Sequence, residues 1–258
     1  MSKEKMIKQQ ARAALKGNIV PIIAGALFVC VTAVMLANIG DLLLVVFGLY
    51  DFDKEAVSEG KEWIGNLVYM GTYVAALLLS PLVNGTVRAA ANAVTKGENR
   101  ASDVFRYFAR PALYLKTLVV NLLLLLLYML PAELLNFSRY SEWVFGDSLT
   151  GAWATAAPVL AAVLTVLVRV FIYMVLVHYP LMIYALDDRL HPLRCAFGFI
   201  GFSFRNLGAL IRLLLSMIGW IALSFLILPM FYSVPYLLTA CTDSARWLYQ
   251  LRPVKVKG

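Results

Sequence analysis

Six long apolar stretches, separated by short segments whose charge alternates between basic and acidic, constrain this chain more than any other feature. A helix needs about 20 mainly apolar residues to cross the ~30 Å hydrocarbon core of a bilayer. By that length the stretches give spans near 19–40, 63–87, 114–135, 153–186, 208–228 and 230–248. The sequence therefore predicts an all-α polytopic membrane helix bundle, with residues 1–258 forming a single integral membrane domain. Its six transmembrane helices would make three in-out-in hairpins. Composition agrees, at 61% hydrophobic and 15% charged residues with mean hydropathy +0.77, against roughly 25% charged in soluble domains.

Charge orients the bundle. Lys3, Lys5, Lys8, Arg12 and Lys16 precede the first span, whereas Asp51, Asp53, Glu55, Glu59 and Glu62 follow it against only Lys54 and Lys61. The second connection is basic again, with Arg88, Lys96, Arg100, Arg106, Arg110 and Lys116, and the third carries Glu133, Glu142 and Asp147 against Arg139. The fourth adds Arg189, Arg194, Arg205 and Arg212, the fifth is uncharged, and the tail brings Arg246, Arg252, Lys255 and Lys257. Basic segments stay on the cytoplasmic side, so both termini are expected there. The net charge of +8 is thereby accounted for by topology, without a nucleic-acid partner. The first apolar run exceeds a signal-peptide core and lacks a small-x-small cleavage site, so it reads as a retained span.

Residues 1–17 form a cytoplasmic amphipathic segment. Met6, Ile7, Ala11, Ala14 and Leu15 recur at helical spacing opposite the lysines, the pattern of a helix lying on the inner leaflet. Between Arg88 and Lys116, Ser102 and Asp103 can cap a short helix whose Val104, Phe105 and Phe108 face the membrane while Arg106 and Arg110 face water. Such surfaces attract membrane lipids, anionic headgroups included, at about 1 kcal/mol per basic residue. Pro158 and Pro180 interrupt the fourth span, and Pro229 and Pro235 break the last hairpin. Gly71, Ala75, Ala76 and Ser80 in the second span, and Ala157, Ala161 and Thr165 in the fourth, supply small residues for close helix contact.

Charges inside spans are the natural candidates for function. Asp41 lies about 33 Å along a helix from Ile19, at the outer edge of the hydrocarbon, and Arg169 about 27 Å from Asp187 and Asp188 at the same edge. The two are expected to pair, with Glu133 as the competing partner of Arg169. At the inner edge Asp243 is expected to pair with Arg212, the alternative being Arg246 three residues along its own helix. No catalytic, cofactor or metal motif is present. Cys30, Cys195 and Cys241 lack metal-ligand spacing, Asp187-Asp188-Arg189 with His191 reads as an interfacial loop, and Ser203 has no base beside it.

Several short motifs together resemble one bacterial family. They are Arg12-Ala13-Ala14-Leu15-Lys16-Gly17-Asn18, Pro81-Leu82-Val83-Asn84-Gly85, Lys96-Gly97-Glu98 through Asp103-Val104-Phe105, Ser203 with Asn206 ahead of Leu215-Ser216-Met217-Ile218-Gly219-Trp220, and Pro235-Tyr236. The chain is similar in these to the multi-pass integral membrane proteins called domain of unknown function 975, though it lacks their glycine-containing linker between Gly219-Trp220 and Pro235-Tyr236. The resemblance implies a bacterial cytoplasmic-membrane protein and assigns no activity. Three function classes follow from the residues. The leading one is a non-enzymatic protein acting by association with lipids, other membrane proteins or copies of itself. The alternative is a small-solute transporter or channel, for which Asn66, Asn121 and Arg169 would have to face one cavity. The third is a membrane-embedded lipid-modifying enzyme.

Overall fold

The computed structural model describes residues 3–51, 56–57, 60–140 and 152–251. These are helical apart from turns and a two-residue antiparallel ladder, Tyr50–Asp51 with Ala56–Val57. Asp53, Lys54, Glu55, Glu59, Glu142 and Asp147 of the acidic connections, and Arg252, Lys255 and Lys257 of the tail, lie outside the described residues. The helices in chain order are α1 (Lys3–Leu15), α2 (Ile19–Val46), α3 (Glu62–Leu79), α4 (Pro81–Lys96), α5 (Pro111–Leu134), α6 (Ala152–Tyr173), α7 (Tyr179–Leu186), α8 (Pro192–Phe197), α9 (Ile200–Ser216), α10 (Ile218–Leu223) and α11 (Ile227–Leu251).

Four stretches are long and apolar enough to cross a membrane: Ile19–Val46, Glu62–Lys96, Pro111–Tyr140 and Ala156–Leu186. They are the first four spans expected from the sequence, with the first running on past Gly40. Most of the apolar side chains in these stretches face outward rather than into the protein. The last hairpin is different. It bends at Met217, breaks again at Ser224 to Leu226, and yields no helix in that class. Pro235 is not a breaker but lies inside α11, and Pro229 sits in its first turn.

Proline places the other irregularities. Pro81 opens α4 directly after Ser80, the single residue that separates α3 from α4 within the second span. Pro180 has no N–H to give to the preceding turn, and a π-helical turn, Met174–His178, lies directly before it.

The protein interior is built around three helices that approach one another pairwise, α4, α7 and α11. From Pro81 to Ala93 nearly every residue of α4 is buried, and α7 is buried from Tyr179 to Ala185. Small residues permit this. Gly85 sits so close to the Val104 carbonyl that a Cβ would overlap it, and a Cβ on Gly25 of α2 would meet Thr86 Oγ1 at 2.6 Å. Gly71, by contrast, has nothing within 4 Å of where its Cβ would stand. Gly85 and Gly25 thus make close contacts that Gly71, the first residue of the expected stripe on α3, does not. Arg88 of α4 donates to the Ala185 and Leu186 carbonyls at the end of α7, and Arg246 of α11 to the Val94 carbonyl near the end of α4.

The expected amphipathic helix forms as α1, but its apolar face is covered by protein. Ile7, Ala11 and Leu15 are buried in one cluster with Leu82, Ala89, Leu213, Tyr236 and Ala240. Gly17, at φ 84°, turns the chain from α1 into α2. Asn18 at that turn then donates to the Gly97 carbonyl at 2.8 Å and accepts from the Asn99 N–H at 3.1 Å. The segment after α4 forms two 3₁₀ turns, Ala101–Asp103 and Arg106–Phe108, in place of one capped helix. Val104 packs inward, while Phe105 and Phe108 stay exposed as the sequence suggested.

Replacing Gly85 by Ala is expected to destabilise the protein by about 1–3 kcal/mol, the usual cost of overpacking. Gly71→Ala, with open space at the same atom, should leave the thermal midpoint in detergent unchanged. Equal midpoints for the two variants, followed by circular dichroism, would contradict the packing described.

Candidate functional site

Both expected cross-helix ion pairs are replaced by nearer partners. Arg169 on α6 reaches Glu133 on α5, Nη2 to Oε1 at 3.1 Å. Asp41 instead accepts the Tyr69 hydroxyl at 2.8 Å. The reason is adjacency, since α2 packs on α3 and α4 whereas α6 packs on α5. Asp243 is fully buried and binds Arg246, Oδ1 to Nη2 at 2.7 Å and to Nε at 3.1 Å. Arg212 lies on the exposed side of α9 with its Nε on the Gly208 carbonyl at 3.2 Å. A neighbour three residues along the same helix spares Asp243 the desolvation of a second long side chain.

A charged network ties the loop after α4 to the end of α7. Arg106 makes two hydrogen bonds to Asp188 Oδ2, at 2.8 and 2.9 Å, and Lys116 donates to the Asp188 carbonyl at 2.8 Å. The Asp188 hydrogen bond raises the Arg106 pKa. Tyr107 stacks on Tyr184 beneath this network, and burial drives its hydroxyl well above the ordinary value. Burial also pushes the Cys195 thiol up to about 12, which keeps it protonated and inert. The Asp187-Asp188-Arg189 segment is thus tied into structure: Asp188 to Arg106, and Asp187 Oδ1 to the Arg189 N–H. Among the described residues, no three His, Cys, Asp or Glu side chains converge.

Two concave features remain. On the α1 side, Lys5, Lys8, Arg12 and Arg212, with Glu4, Gln9 and Ser216, line an open cleft of about 750 Å³. Lys8 Nζ donates to the Ser216 carbonyl at 3.2 Å, and the Arg12 guanidinium lies 5.7 Å from the Tyr236 ring centre. The cleft therefore joins the first and last parts of the chain.

The second feature is a membrane-level cavity of about 460 Å³ between α3, α4, α5 and the π-helical turn, with Tyr73, Leu124, Tyr128, Met129, Tyr173 and Leu181 on its walls. Besides the three tyrosines, its lining carries polar side chains where Ser80, Asn84 and Asn121 meet. The Ser80 hydroxyl donates to the Leu77 carbonyl at 2.7 Å. Its oxygen is then left to accept from Asn121 Nδ2, at 2.7 Å, and the same Nδ2 donates to Asn84 Oδ1 at 2.8 Å. Asn84 Nδ2 has no partner among the described residues and is shut off from the cavity, on a residue 0% exposed. Of the three residues a solute path would have used, Asn121 lines this cavity, whereas Asn66 and Arg169 do not. Ser80 and Asn84 are four residues apart and could have been seen as one helix face, but across a Pro81 junction that spacing is not a dependable signal.

No protein-family model, curated protein or solved structure matches this chain.

Glu133→Gln and Arg169→Gln should each lower thermal stability in detergent, and the double variant should lose less than their sum, with a coupling of about 0.5–1 kcal/mol for so exposed a pair. Asp41→Asn combined with Arg169→Gln should be additive. Coupling of Arg169 to Asp41 and not to Glu133 would overturn the assignment.

Proposed function

We propose that this is a non-enzymatic, multi-pass protein of a bacterial cytoplasmic membrane that acts by associating with membrane lipids and, through them or directly, with other membrane proteins. The observation that carries this reading is the basic cleft between α1 and α9. Four cations converge there against one carboxylate, and the apolar face of α1 that could have served as a lipid anchor is already used against the bundle. What α1 offers the membrane is therefore charge, suited to anionic headgroups. Membership of the domain of unknown function 975 family belongs to the same proposal. It is supported by the motifs around Gly85 and Tyr236, which sit on the two mutually packed helices α4 and α11.

Topology follows from the same cleft. Both termini are cytoplasmic, and the last hairpin enters the bilayer from that side and returns without crossing. Ser216 adjoins the cations of α1, and the tip at Phe225 lies nine residues further, about 13 Å of helix against the ~30 Å a crossing requires. No charge occurs between Arg212 and Asp243. Phe225 and Leu228 at the tip are more than 80% exposed. The amides of Ser224, Phe225 and Leu226 bond to carbonyls of the preceding turn, which is what hydrocarbon demands of an irregular backbone.

In detergent, phosphatidylglycerol should raise the thermal midpoint more than phosphatidylcholine does, as expected when a ligand binds only the folded state. The combined Lys5→Gln, Lys8→Gln, Arg12→Gln and Arg212→Gln variant should lose that preference. An undiminished preference would sink the headgroup reading.

Single cysteines tested with a membrane-impermeant maleimide should react from outside at Ser58 and Ser141 and from inside at Gly258. A cysteine at Leu226 should react from neither side. External labelling at Leu226 would establish a full crossing, and external labelling at Gly258 would invert the orientation.

A further inference from the structure

We infer that the basic cleft binds a lipid that carries two phosphates on one short bridge, a diphosphatidylglycerol, with one phosphate near Lys5, Lys8 and Arg212 and the other at Arg12. This rests on the lipid-association reading and narrows it from anionic headgroups in general to one headgroup class.

The cations stand in register along two elements. Lys5, Lys8 and Arg12 follow one another at three- and four-residue steps and so share a face of α1. Lys8 Nζ sits at the Ser216 carbonyl, and the Arg12 guanidinium lies by the Tyr236 ring, against which Trp220 packs with ring centres 5.0 Å apart. The step from Lys8 to Arg12 along α1 thus matches the step from Ser216 to Trp220, so the two elements run side by side in the same direction. Arg212, one turn before Ser216, falls in this register at the Lys5 end. The row from Lys5 to Arg12 is about 10.5 Å long, with positive side chains at both ends.

The charge is held in place but not neutralised. Lys8 and Arg212 rest on backbone carbonyls and Arg12 beside an aromatic face, and none of the three pairs with a carboxylate among the described residues. Four cations against Glu4 leave a formal surplus of three positive charges in the cleft. Neutral acceptors orient a cation without cancelling its field, so the cleft is prepared for more negative charge than a single phosphodiester brings. One phosphate is also too compact to touch both ends of the row. Two phosphates joined through a glycerol can, and the guanidinium forks of Arg12 and Arg212 match phosphate oxygens at either end. The volume of about 750 Å³ lies within the roughly 300–1,000 Å³ of ligand sites. What borders the cleft favours a lipid over a soluble diphosphate. Leu215 and Ile218 flank Ser216, and each is 62% exposed, which provides apolar surface for acyl chains beside the charges.

The test is native mass spectrometry of the full chain in detergent, titrated separately with diphosphatidylglycerol, phosphatidylglycerol, phosphatidic acid, phosphatidylcholine and pyrophosphate. Diphosphatidylglycerol should bind about fivefold more tightly per phosphate than phosphatidylglycerol, the factor expected from engaging one further cation. Arg12→Gln should abolish that excess and keep the preference for phosphatidylglycerol over phosphatidylcholine. Arg12→Lys, which keeps the charge, should retain most of the excess. Lys3→Gln, which removes a cation held at the Trp247 ring outside the cleft, should change neither. An excess that survives Arg12→Gln, or that falls equally in Lys3→Gln, would overturn the inference. So would phosphatidic acid or pyrophosphate binding as tightly as diphosphatidylglycerol, since one compact dianion or a soluble ligand would then suffice. A wild-type chain that prefers phosphatidylglycerol to phosphatidylcholine but shows no excess for diphosphatidylglycerol refutes this inference alone, whereas one that distinguishes none of the lipids refutes the headgroup reading as well.

Discussion

The bundle depends on how closely α4 can be approached. Lipid gives apolar helices no reason to leave it for one another, so association has to come from van der Waals contact and from polar groups that match. A helix that presents Gly85, Ala89, Ala90 and Ala93 lets backbones come near on several sides at once, and α2, α7 and α11 all take that opportunity. The contact of Gly85 with the Val104 carbonyl also fixes the loop after α4. From that loop hang Tyr107, Arg106 and the start of α5, so the network around Asp188 depends on the absence of a methyl group at Gly85.

Polar side chains then act as the connectors between these helices. Arg88 reaches the carbonyls that end α7, Arg246 reaches the end of α4 while holding Asp243, and Asn18 clasps Gly97 and Asn99. Each helix end or buried charge finds its partner on the nearest element. The same rule explains why Asp41 turned to Tyr69 and Arg169 to Glu133. In a medium that solvates charge poorly, the partner that can be reached with the least exposure prevails over one that matches only in depth.

Two halves of the molecule therefore meet lipid differently. The outer parts of α2, α3, α5 and α6 present loosely packed apolar surface, while the inner half is a dense body of short helices edged by cations. The apolar cavity is lined by α3, α4 and α5, and the basic cleft lies between α1 and α9.

The sequence by itself determined the class, the first four spans and the amphipathic character of α1, because hydropathy and charge act residue by residue and are legible without a fold. It also named Arg169 and Asp243 as paired charges within the bundle and Asn121 as a polar group in a span. Only the tertiary structure decided which partners they took. Depth along a helix can be counted from sequence, but which helices are neighbours, and how each is rotated, depends on packing between distant segments. For the same reason the apolar face of α1 was readable while its burial against Tyr236 and Ala240 was not. Nor could hydropathy show that the last hairpin bends at Met217 and breaks again at Ser224 to Leu226, since an uncharged stretch has the same composition whether its helix is continuous or interrupted.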